Sequence, residues 1–139
     1  MERSGWKAGE RDVKVLVVED NERILTTIVE GLVAAGYLVS WARNGQEALE
    51  EALHRSPDLV ITDYEMPGIN GIELIRRIRE RHPRLPIILM TGSRPALEEG
   101  ERVGVRILFK PFDLNTFSSL VEEVLRARRR GCLPGSSPF

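Results

Sequence analysis

The sequence predicts an α/β fold built on an open parallel sheet of five strands. Five short apolar runs alternate with helical patterns along the chain, at residues 13–18, 38–42, 59–62, 87–90 and 105–109. A repeated order of strand and helix is typical of parallel strands joined by right-handed crossovers. Most of the runs are rich in Val, Ile and Leu with little polar alternation, as expected of strands that are covered on both faces.

The first two helices are predicted from apolar stripes and from signals at their ends. Gly36 stands where the first helix would end, and Asn44 is a good capping residue for the start of the second. The stripe of the first helix contains Ile24, Leu25, Ile28, Val29, Leu32 and Val33. That of the second contains Ala48, Leu49, Ala52 and Leu53. Each helix therefore has an apolar side that can pack on the sheet.

The third and the last helix show the same kind of pattern. Pro83 and Pro86 close the third helix, and Asp113 starts the last one. The apolar positions are Ile72, Leu74, Ile75 and Ile78 in the third helix and Leu114, Phe117, Leu120, Val121, Val124 and Leu125 in the last. We expect the charged residues of the third helix to be mostly solvated, namely Arg76, Arg77, Arg79 and Glu80.

The segment between the fourth and fifth strands has a weaker helical pattern. Residues 93–104 contain Pro95, Gly100 and Gly104 and few apolar positions. Proline and glycine are poor residues for a helix interior. We therefore predict that the fourth helix is short or irregular.

Length and composition favour one soluble globular domain. The chain has 139 residues, 42% of them apolar, and a formal net charge of −1, which gives no overall attraction to nucleic acid or to an anionic membrane. No segment resembles a membrane span or a signal peptide, and the one cysteine, Cys132, cannot form an internal disulfide. We expect a cytoplasmic protein with one domain at residues 12–130 and flexible tails at 1–11 and 131–139.

Polar residues follow four of the predicted strands, whose carboxyl ends meet at one edge of the sheet. Glu19 and Asp20 follow the first strand, Asp63 the third, Thr91 the fourth and Lys110 the fifth. Each has an ordinary structural explanation: Asp20 could cap a helix, Asp63 could open a turn, and Lys110 could be a solvated charge. Taken together, they indicate a functional site.

The chemistry that this set can support is phosphoryl transfer. Three carboxylates in one crevice repel one another unless a cation joins them, and clustered carboxylate and carbonyl oxygens suit Mg²⁺. Lys110 adds a positive charge and Thr91 a hydroxyl, and both can bind an anionic oxygen. Asp63 needs no base to act as a nucleophile, since an aspartate is ordinarily ionised at pH 7. The site would position a phosphoryl group and neutralise its charge.

Four stretches resemble the signatures of bacterial response-regulator receiver domains, namely VKVLVVEDNERI, LVITDYEMPGINGIELIRRIR, PIILMTG and ILFKPF. The resemblance covers about residues 12–129. It implies a flavodoxin-like, doubly wound sheet of five parallel strands in the order 2-1-3-4-5, with helices on both faces. This chain departs from the family at Ile107, where a receiver usually has Tyr or Phe, and its segment from Thr91 to Lys110 is a few residues shorter.

The resemblance also implies a role for each site residue. Asp63 would accept the phosphate, and the bond between Lys110 and Pro111 would be cis. The magnesium ligands would be Asp20, Asp63, the backbone carbonyl of Glu65 and, through water, Glu19. The residues that bind the phosphoryl oxygens would be Thr91 and Lys110.

The implied function is a phosphorylation-dependent signalling switch of a two-component system. Phosphate would come from a histidine kinase or a histidine phosphotransfer protein, and the chain would be no enzyme beyond slow self-catalysed phosphotransfer and dephosphorylation. We expect a monomer or a weak phosphorylation-dependent dimer, and either a stand-alone regulator or a receiver fragment of a larger regulator or hybrid histidine kinase. Because Ile107 has no ring to move, we hypothesise that phosphorylation restricts a mobile segment at residues 93–104.

Three other classes of protein are alternatives to this one. A haloacid-dehalogenase-type phosphatase also uses a nucleophilic Asp and Mg²⁺, but it needs a second Asp two residues on, where this chain has Glu65. A flavin-binding protein would need a phosphate loop rich in hydroxyls and glycine after the first strand, where this chain has acidic residues. The basic run at residues 126–130 raises DNA binding, but cations complement the dipole at a helix end and no recognition element follows. We expect no direct binding to DNA or to a membrane.

Overall fold

Five parallel strands form one sheet in the order β2-β1-β3-β4-β5. The structure is a computed structural model, and it describes residues 12–129. The strands are β1 (Lys14–Val18), β2 (Leu38–Ala42), β3 (Leu59–Asp63), β4 (Ile87–Thr91) and β5 (Arg106–Phe109). All four neighbouring pairs are parallel, which confirms the predicted fold class and strand order. The tails predicted at 1–11 and 131–139 lie outside the described residues.

Five helices connect or follow the strands, and each begins beside a capping side chain. The helices are α1 (Glu22–Ala34), α2 (Gly45–Arg55), α3 (Gly71–Arg81), α4 (Arg94–Val103) and α5 (Leu114–Arg129). The residues that accept a hydrogen bond from a first-turn N–H are Asn21, Asn44, Asn70, Ser93 and Asp113. Such bonds satisfy donors that have no partner within the helix. The starts predicted at Asn44 and Asp113 are confirmed.

Alternate residues of each strand pack on opposite faces of the sheet. On β1, Val15 and Val17 lie in one buried cluster with side chains of α1 and α5. Leu16 and Val18 lie in a second cluster with side chains of α2 and α3. Because both faces are covered, both sets of strand residues are apolar, and the sequence shows a continuous run.

The carboxyl ends of two strands reach one residue further than the apolar pattern indicated. Asp63 pairs with Met90, and Thr91 pairs with Phe109, so the acid and the hydroxyl are the last residues of β3 and β4. Asp63 is therefore placed by the sheet ladder itself. The alternative that it merely opens a turn does not describe its position.

The fourth helix was predicted to be short or irregular, and the structure shows that it is short but regular. α4 is the shortest of the five helices at ten residues, but it is a regular α-helix with Ser93 as its N-cap and Gly104 as its C-cap. Pro95 lies in the first turn, where a missing N–H costs nothing. Gly104 has φ +71° and ends the helix in the left-handed conformation that glycine adopts readily.

One charged residue of α3 is not solvated as expected. The guanidinium of Arg79 is half-buried, because it donates hydrogen bonds to the carbonyls of Val103 and Gly104. These acceptors lie at the carboxyl end of α4, whose last carbonyls have no partner within the helix. Arg79 therefore joins α3 to α4. Arg76, Arg77 and Glu80 are exposed as predicted.

None of the helices between residues 12 and 129 combines the length and the hydropathy of a membrane-spanning segment.

Candidate functional site

The carboxyl edge of the sheet brings the predicted site residues to neighbouring strands. The Glu19 N–H donates to the Ala42 carbonyl at 3.1 Å, which holds the residue after β1 against β2. The Lys110 N–H donates to the Thr91 carbonyl at 2.8 Å, so Lys110 is fixed beside the end of β4. The bond from Lys110 to the following proline is cis, as the resemblance implied.

Three carboxylates converge at this edge. One oxygen from each of Glu19, Asp20 and Asp63 lies within 4.8 Å of the other two. The side chain of Asp20 is exposed, whereas Glu19 is 1% exposed and Asp63 5% exposed. Burial of two carboxylates beside a third is costly unless positive charge compensates them.

Lys110 supplies part of that positive charge. Its Nζ lies 2.9 Å from Asp63 Oδ1 and 3.3 Å from Glu19 Oε1. The other oxygen of Glu19, Oε2, accepts a hydrogen bond from the Asn21 N–H at 3.2 Å. Both Glu19 oxygens are thus engaged by the protein, and the Lys110 ammonium group contacts two of the three carboxylates.

The pKa values at the site reflect this excess of negative charge. Burial raises the pKa of the Asp63 carboxyl, and the hydrogen bond and charge of Lys110 oppose part of the rise. Burial and the neighbouring Asp63 raise the pKa of Glu19. Burial alone would lower the pKa of Lys110, but its contacts with Asp63 and Glu19 outweigh burial and raise it. The acids therefore hold protons more tightly than usual, and the cluster favours an added cation.

The loop after β3 forms one wall of the cleft. Glu65, Met66 and Pro67 line it together with the acidic residues and Lys110, and its volume is about 490 Å³. The loop folds back closely: the Gly71 N–H donates to the Tyr64 carbonyl at 2.8 Å. A Cβ on Gly71 would lie 2.5 Å from the Asp63 carbonyl oxygen, so this approach requires a glycine.

Thr91 differs from the other predicted residues in the direction of its side chain. It is 2% exposed, and its Oγ1 accepts a hydrogen bond from the Ser93 N–H at 3.0 Å. Ser93 caps α4. The hydroxyl is thus bound to the start of α4, while Glu19, Asp20, Asp63, Glu65 and Lys110 line one cleft.

The donor set fits a hard divalent cation. Three carboxylates from adjacent segments offer oxygen atoms, and oxygen-only ligation suits Mg²⁺, which keeps several of its own waters. The exposure of Asp20 leaves the cluster open to solvent on one side. A cation there would also offset the charge that Lys110 leaves uncompensated.

Sequence patterns did not reveal one polar contact beside the site. The hydroxyl of Tyr64, the residue after Asp63, donates to Glu99 Oε1 at 2.9 Å. Glu99 belongs to α4 and lies 35 residues further along the chain. No periodicity or local motif signals a pair at that separation, so only the fold shows it.

The fold and the site define a doubly wound α/β domain with an acidic, lysine-bearing cleft at the carboxyl edge of its sheet. The response regulator receiver domain family matches residues 15–122 of the chain. This match covers most of the 139 residues. The chain therefore belongs to the response regulator receiver domain family, the receiver modules of two-component signal transduction.

Curated relatives agree with this assignment. The DNA-binding transcriptional regulator NtrC of Escherichia coli is 34% identical over 114 residues, which are 80% of this chain and 24% of that protein. The phosphate regulon transcriptional regulatory protein PhoB of Rhizobium meliloti is 39% identical over 121 residues, 81% of this chain and 52% of that protein. This chain thus spans about a quarter to a half of the length of these relatives.

Solved structures show the same fold. The chemotaxis response regulator CheY4 of Vibrio cholerae superposes with a TM-score of 0.78 at 32% identity, covering 82% of this chain and 99% of that chain. The signal receiver domain of an HD domain-containing protein from Pseudomonas fluorescens gives a TM-score of 0.82 at 26% identity, covering 91% and 96%.

Proposed function

We propose that this receiver domain is a phosphorylation-dependent signalling switch whose phosphate acceptor is Asp63. The observation that supports this proposal most strongly is the position of Asp63, which ends β3 inside a cleft. Lys110 Nζ lies 2.9 Å from Asp63 Oδ1, and one oxygen from each of two further carboxylates lies within 4.8 Å of an Asp63 oxygen. A nucleophile (Asp63), a cationic side chain (Lys110) and carboxylate ligands for a metal cation therefore lie in one cleft. These are the parts that phosphoryl transfer needs.

The donor would be the phosphohistidine of a histidine kinase or of a histidine phosphotransfer protein. An Asp63 carboxylate oxygen would form a bond to phosphorus while the bond from phosphorus to the imidazole nitrogen breaks. The electron pair of that bond stays on the imidazole, which takes up a proton. Lys110 lies within contact distance of the Asp63 carboxylate, so its ammonium can neutralise oxygens of the transferred group.

Mg²⁺ is proposed as the cofactor. Asp20, Asp63 and the backbone carbonyl of Glu65 would hold it, and Glu19 would act through water, since both of its carboxylate oxygens already accept hydrogen bonds. When bound, Mg²⁺ supplies positive charge that offsets that of the phosphoryl oxygens. Asp20 is the exposed member of the cluster and keeps it accessible.

Thr91 is proposed to bind a phosphoryl oxygen once Asp63 is modified. Its hydroxyl now accepts a bond from the Ser93 N–H, and a hydroxyl can also donate one. Thr91 ends the strand beside β3, so a small rotation of its side chain would aim the hydroxyl at a group on Asp63.

The proposed activity is that of a phosphate acceptor with slow self-catalysed phosphotransfer and dephosphorylation, in the cytoplasm. Family membership argues against the phosphatase and flavin-binding alternatives. Direct DNA binding is not proposed: Arg128, within the basic run, pairs with Asp58 Oδ1 at 2.6 Å, and Arg130 lies outside the described residues. The oligomeric state is proposed to be a monomer or a weak phosphorylation-dependent dimer.

The test is phosphoryl uptake from a small phosphodonor such as acetyl phosphate, measured by intact mass with Mg²⁺. Wild type should gain one phosphoryl group, and Asp63→Asn should gain none. Asp113→Asn is the matched control, because asparagine also caps a helix and Asp113 lies outside the cleft; it should label like wild type. Equal labelling of Asp63→Asn and wild type would refute the assignment.

A further inference from the structure

Tyr64 connects the end of β3 to α4. Its backbone is held on both sides, since its N–H donates to the Met90 carbonyl at 2.9 Å and its carbonyl accepts from Gly71 at 2.8 Å. Its hydroxyl donates to Glu99 on α4 at 2.9 Å. The Tyr64 side chain therefore reaches from a backbone held by hydrogen bonds, next to Asp63, to the middle of α4.

A second link joins the site to the start of the same helix. Thr91 Oγ1 accepts a hydrogen bond from the Ser93 N–H at 3.0 Å. Ser93 Oγ in turn accepts one from the Ala96 N–H at 3.3 Å. Thr91 thus supports the capping residue of α4, and any change in the direction of its hydroxyl alters that support.

The remaining anchors of α4 do not involve the site. Arg79 binds the carbonyls at the carboxyl end of the helix. Gly100 packs against Ile107 so closely that a Cβ on the glycine would lie 2.4 Å from Ile107 Cδ1. Ile107 holds α4 through apolar contact alone. Its side chain has no aromatic ring and no hydroxyl group, so at this position β5 has no polar group that could move in response to modification of Asp63.

We infer that the Tyr64–Glu99 hydrogen bond is the side-chain link through which modification of Asp63 changes the docking of α4. This inference rests on the proposed function. Phosphorylation replaces the single negative charge of the Asp63 carboxylate with the roughly 1.5 to 2 negative charges of a phosphoryl group next to Tyr64, and it draws the Thr91 hydroxyl away from Ser93. The added charge repels the Glu99 carboxylate, so both links between the site and α4 weaken together.

The expected effect of phosphorylation on α4 is opposite to the one hypothesised from the sequence: the segment becomes more mobile, not more restricted. Residues 94–103 already form a capped helix with four anchors in the unmodified protein, so little is left to restrict. Modification acts on the two anchors of α4 that involve the site, namely the contacts of Tyr64 and of Thr91. α4 is therefore loosened at its first turn and at Glu99, while the Arg79 and Ile107 contacts keep it on the sheet.

Amide hydrogen exchange of α4 tests this link in the full chain. Without any phosphoryl group, Tyr64→Phe should exchange about three to ten times faster than wild type across 97–103, the effect of one lost hydrogen bond. Adding beryllofluoride with Mg²⁺, as a phosphoryl mimic, should speed exchange in wild type and change Tyr64→Phe much less. Tyr37→Phe is the matched control, because Tyr37 packs against the other face of the sheet, and it should behave like wild type.

A second pair of variants removes the acceptor side of the bond. Glu99→Ala should reproduce the exchange of Tyr64→Phe, and the double variant should add nothing further. Glu98→Ala, an adjacent exposed glutamate, should leave exchange unchanged. If Tyr64→Phe and Glu99→Ala keep wild-type protection and a wild-type response to the mimic, the inference is wrong.

Phosphoryl uptake by intact mass on the same proteins separates the two claims. If wild type takes up no phosphoryl group, the proposed function fails and this inference fails with it. If wild type and Tyr64→Phe are both labelled and their α4 segments respond equally, only the link through Tyr64 is overturned.

Discussion

Ile107 on β5 fills the space beside Gly100 on α4. A Cβ at position 100 would lie 2.4 Å from Ile107 Cδ1 and 3.2 Å from Leu89 Cδ2, well inside normal contact distance. The glycine that looks like a helix breaker in the sequence is therefore the residue that lets α4 approach the sheet. Gly100 makes room for Ile107, which occupies a position where receivers usually have an aromatic ring.

This contact predicts a coupling between the two positions. Gly100→Ala forces Ile107 Cδ1 to move, but Ile107→Val removes that atom. The alanine should therefore be better tolerated in the valine background, by about 0.5–3 kcal/mol in the free energy of unfolding. Chemical denaturation of the two single variants and the double variant measures the coupling. Gly31→Ala, whose added Cβ would have Leu114 rather than Ile107 as its neighbour, should show none when combined with Ile107→Val.

Gly71 is predicted to be essential for the loop that lines the cleft. An added Cβ would lie 2.5 Å from the Asp63 carbonyl oxygen and 3.0 Å from Tyr64 Cα, and backbone atoms of a buried strand end cannot move aside as a side chain tip can. Gly71→Ala should lower the free energy of unfolding by about 1–3 kcal/mol. Gly31→Ala is the control: its nearest contact would be 3.8 Å, and alanine favours a helix by about 0.5–1 kcal/mol. Equal stability of the two variants would contradict the close approach at Gly71.

Mg²⁺ affinity should depend more on Asp20 than on Glu19. Asp20 is exposed and free to ligate directly, whereas both oxygens of Glu19 are engaged by Lys110 and Asn21. In calorimetric titrations, Asp20→Asn should lose more than about tenfold in affinity, and Glu19→Gln should lose less. Glu22→Gln, an exposed charge outside the cluster, controls for general electrostatics. An Asp20→Asn protein that binds Mg²⁺ as tightly as wild type would show that the ligand set is wrong.

The raised pKa of Asp63 predicts a pH-dependent stability difference. Burial raises this pKa above the ordinary value of 3.8, so the folded state favours the protonated carboxyl. The stability it contributes is present below the unfolded pKa and is lost as the pH rises through the folded pKa. With metal chelated, Asp63→Asn should therefore be more stable than wild type at neutral pH, and the difference should vanish below pH 3.8.

Asp113 provides a control of opposite sign. Its hydrogen bonds from the Thr116 N–H and hydroxyl lower its pKa below 3.8, so its charged form stabilises the fold above that value and loses this effect as the pH falls. Denaturation curves over a pH series, run on Asp63→Asn and Asp113→Asn, should shift in opposite directions at neutral pH. A shift in the same direction for both would contradict the assigned cause.

The fold and most of the candidate site follow from local features of the sequence. Apolar runs that face helices on both sides mark the parallel strands, and the carboxyl ends of such strands share one edge. Asp63 and Lys110 therefore lie at the same edge of the sheet, although β4 separates their strands, and the Lys110 side chain spans the distance between them. The direction of the Thr91 hydroxyl does not follow, because it depends on a rotamer and on the position of Ser93.

The fourth helix shows where reading single residues fails. Pro95 and Gly104 contributed to the prediction of a short or irregular helix, yet their positions, one inside the first turn and one just past the end, are boundary signals of a short, regular helix. Ser93, a good capping residue, completes that pattern. The contacts of Arg79 and Tyr64 with α4 join residues 24 to 35 positions apart, and no periodic pattern encodes such pairs.

The most direct test of the proposed function locates the phosphate on the chain. After labelling with acetyl phosphate and Mg²⁺, borohydride reduction converts an aspartyl phosphate to homoserine, which marks the residue permanently for peptide mass analysis. The predicted result is a single modified residue at Asp63, with Asp20 and Glu19 unmodified. A mark at Asp20, at Glu19 or outside the cleft, with Asp63 intact, would contradict the proposal that this receiver signals through Asp63.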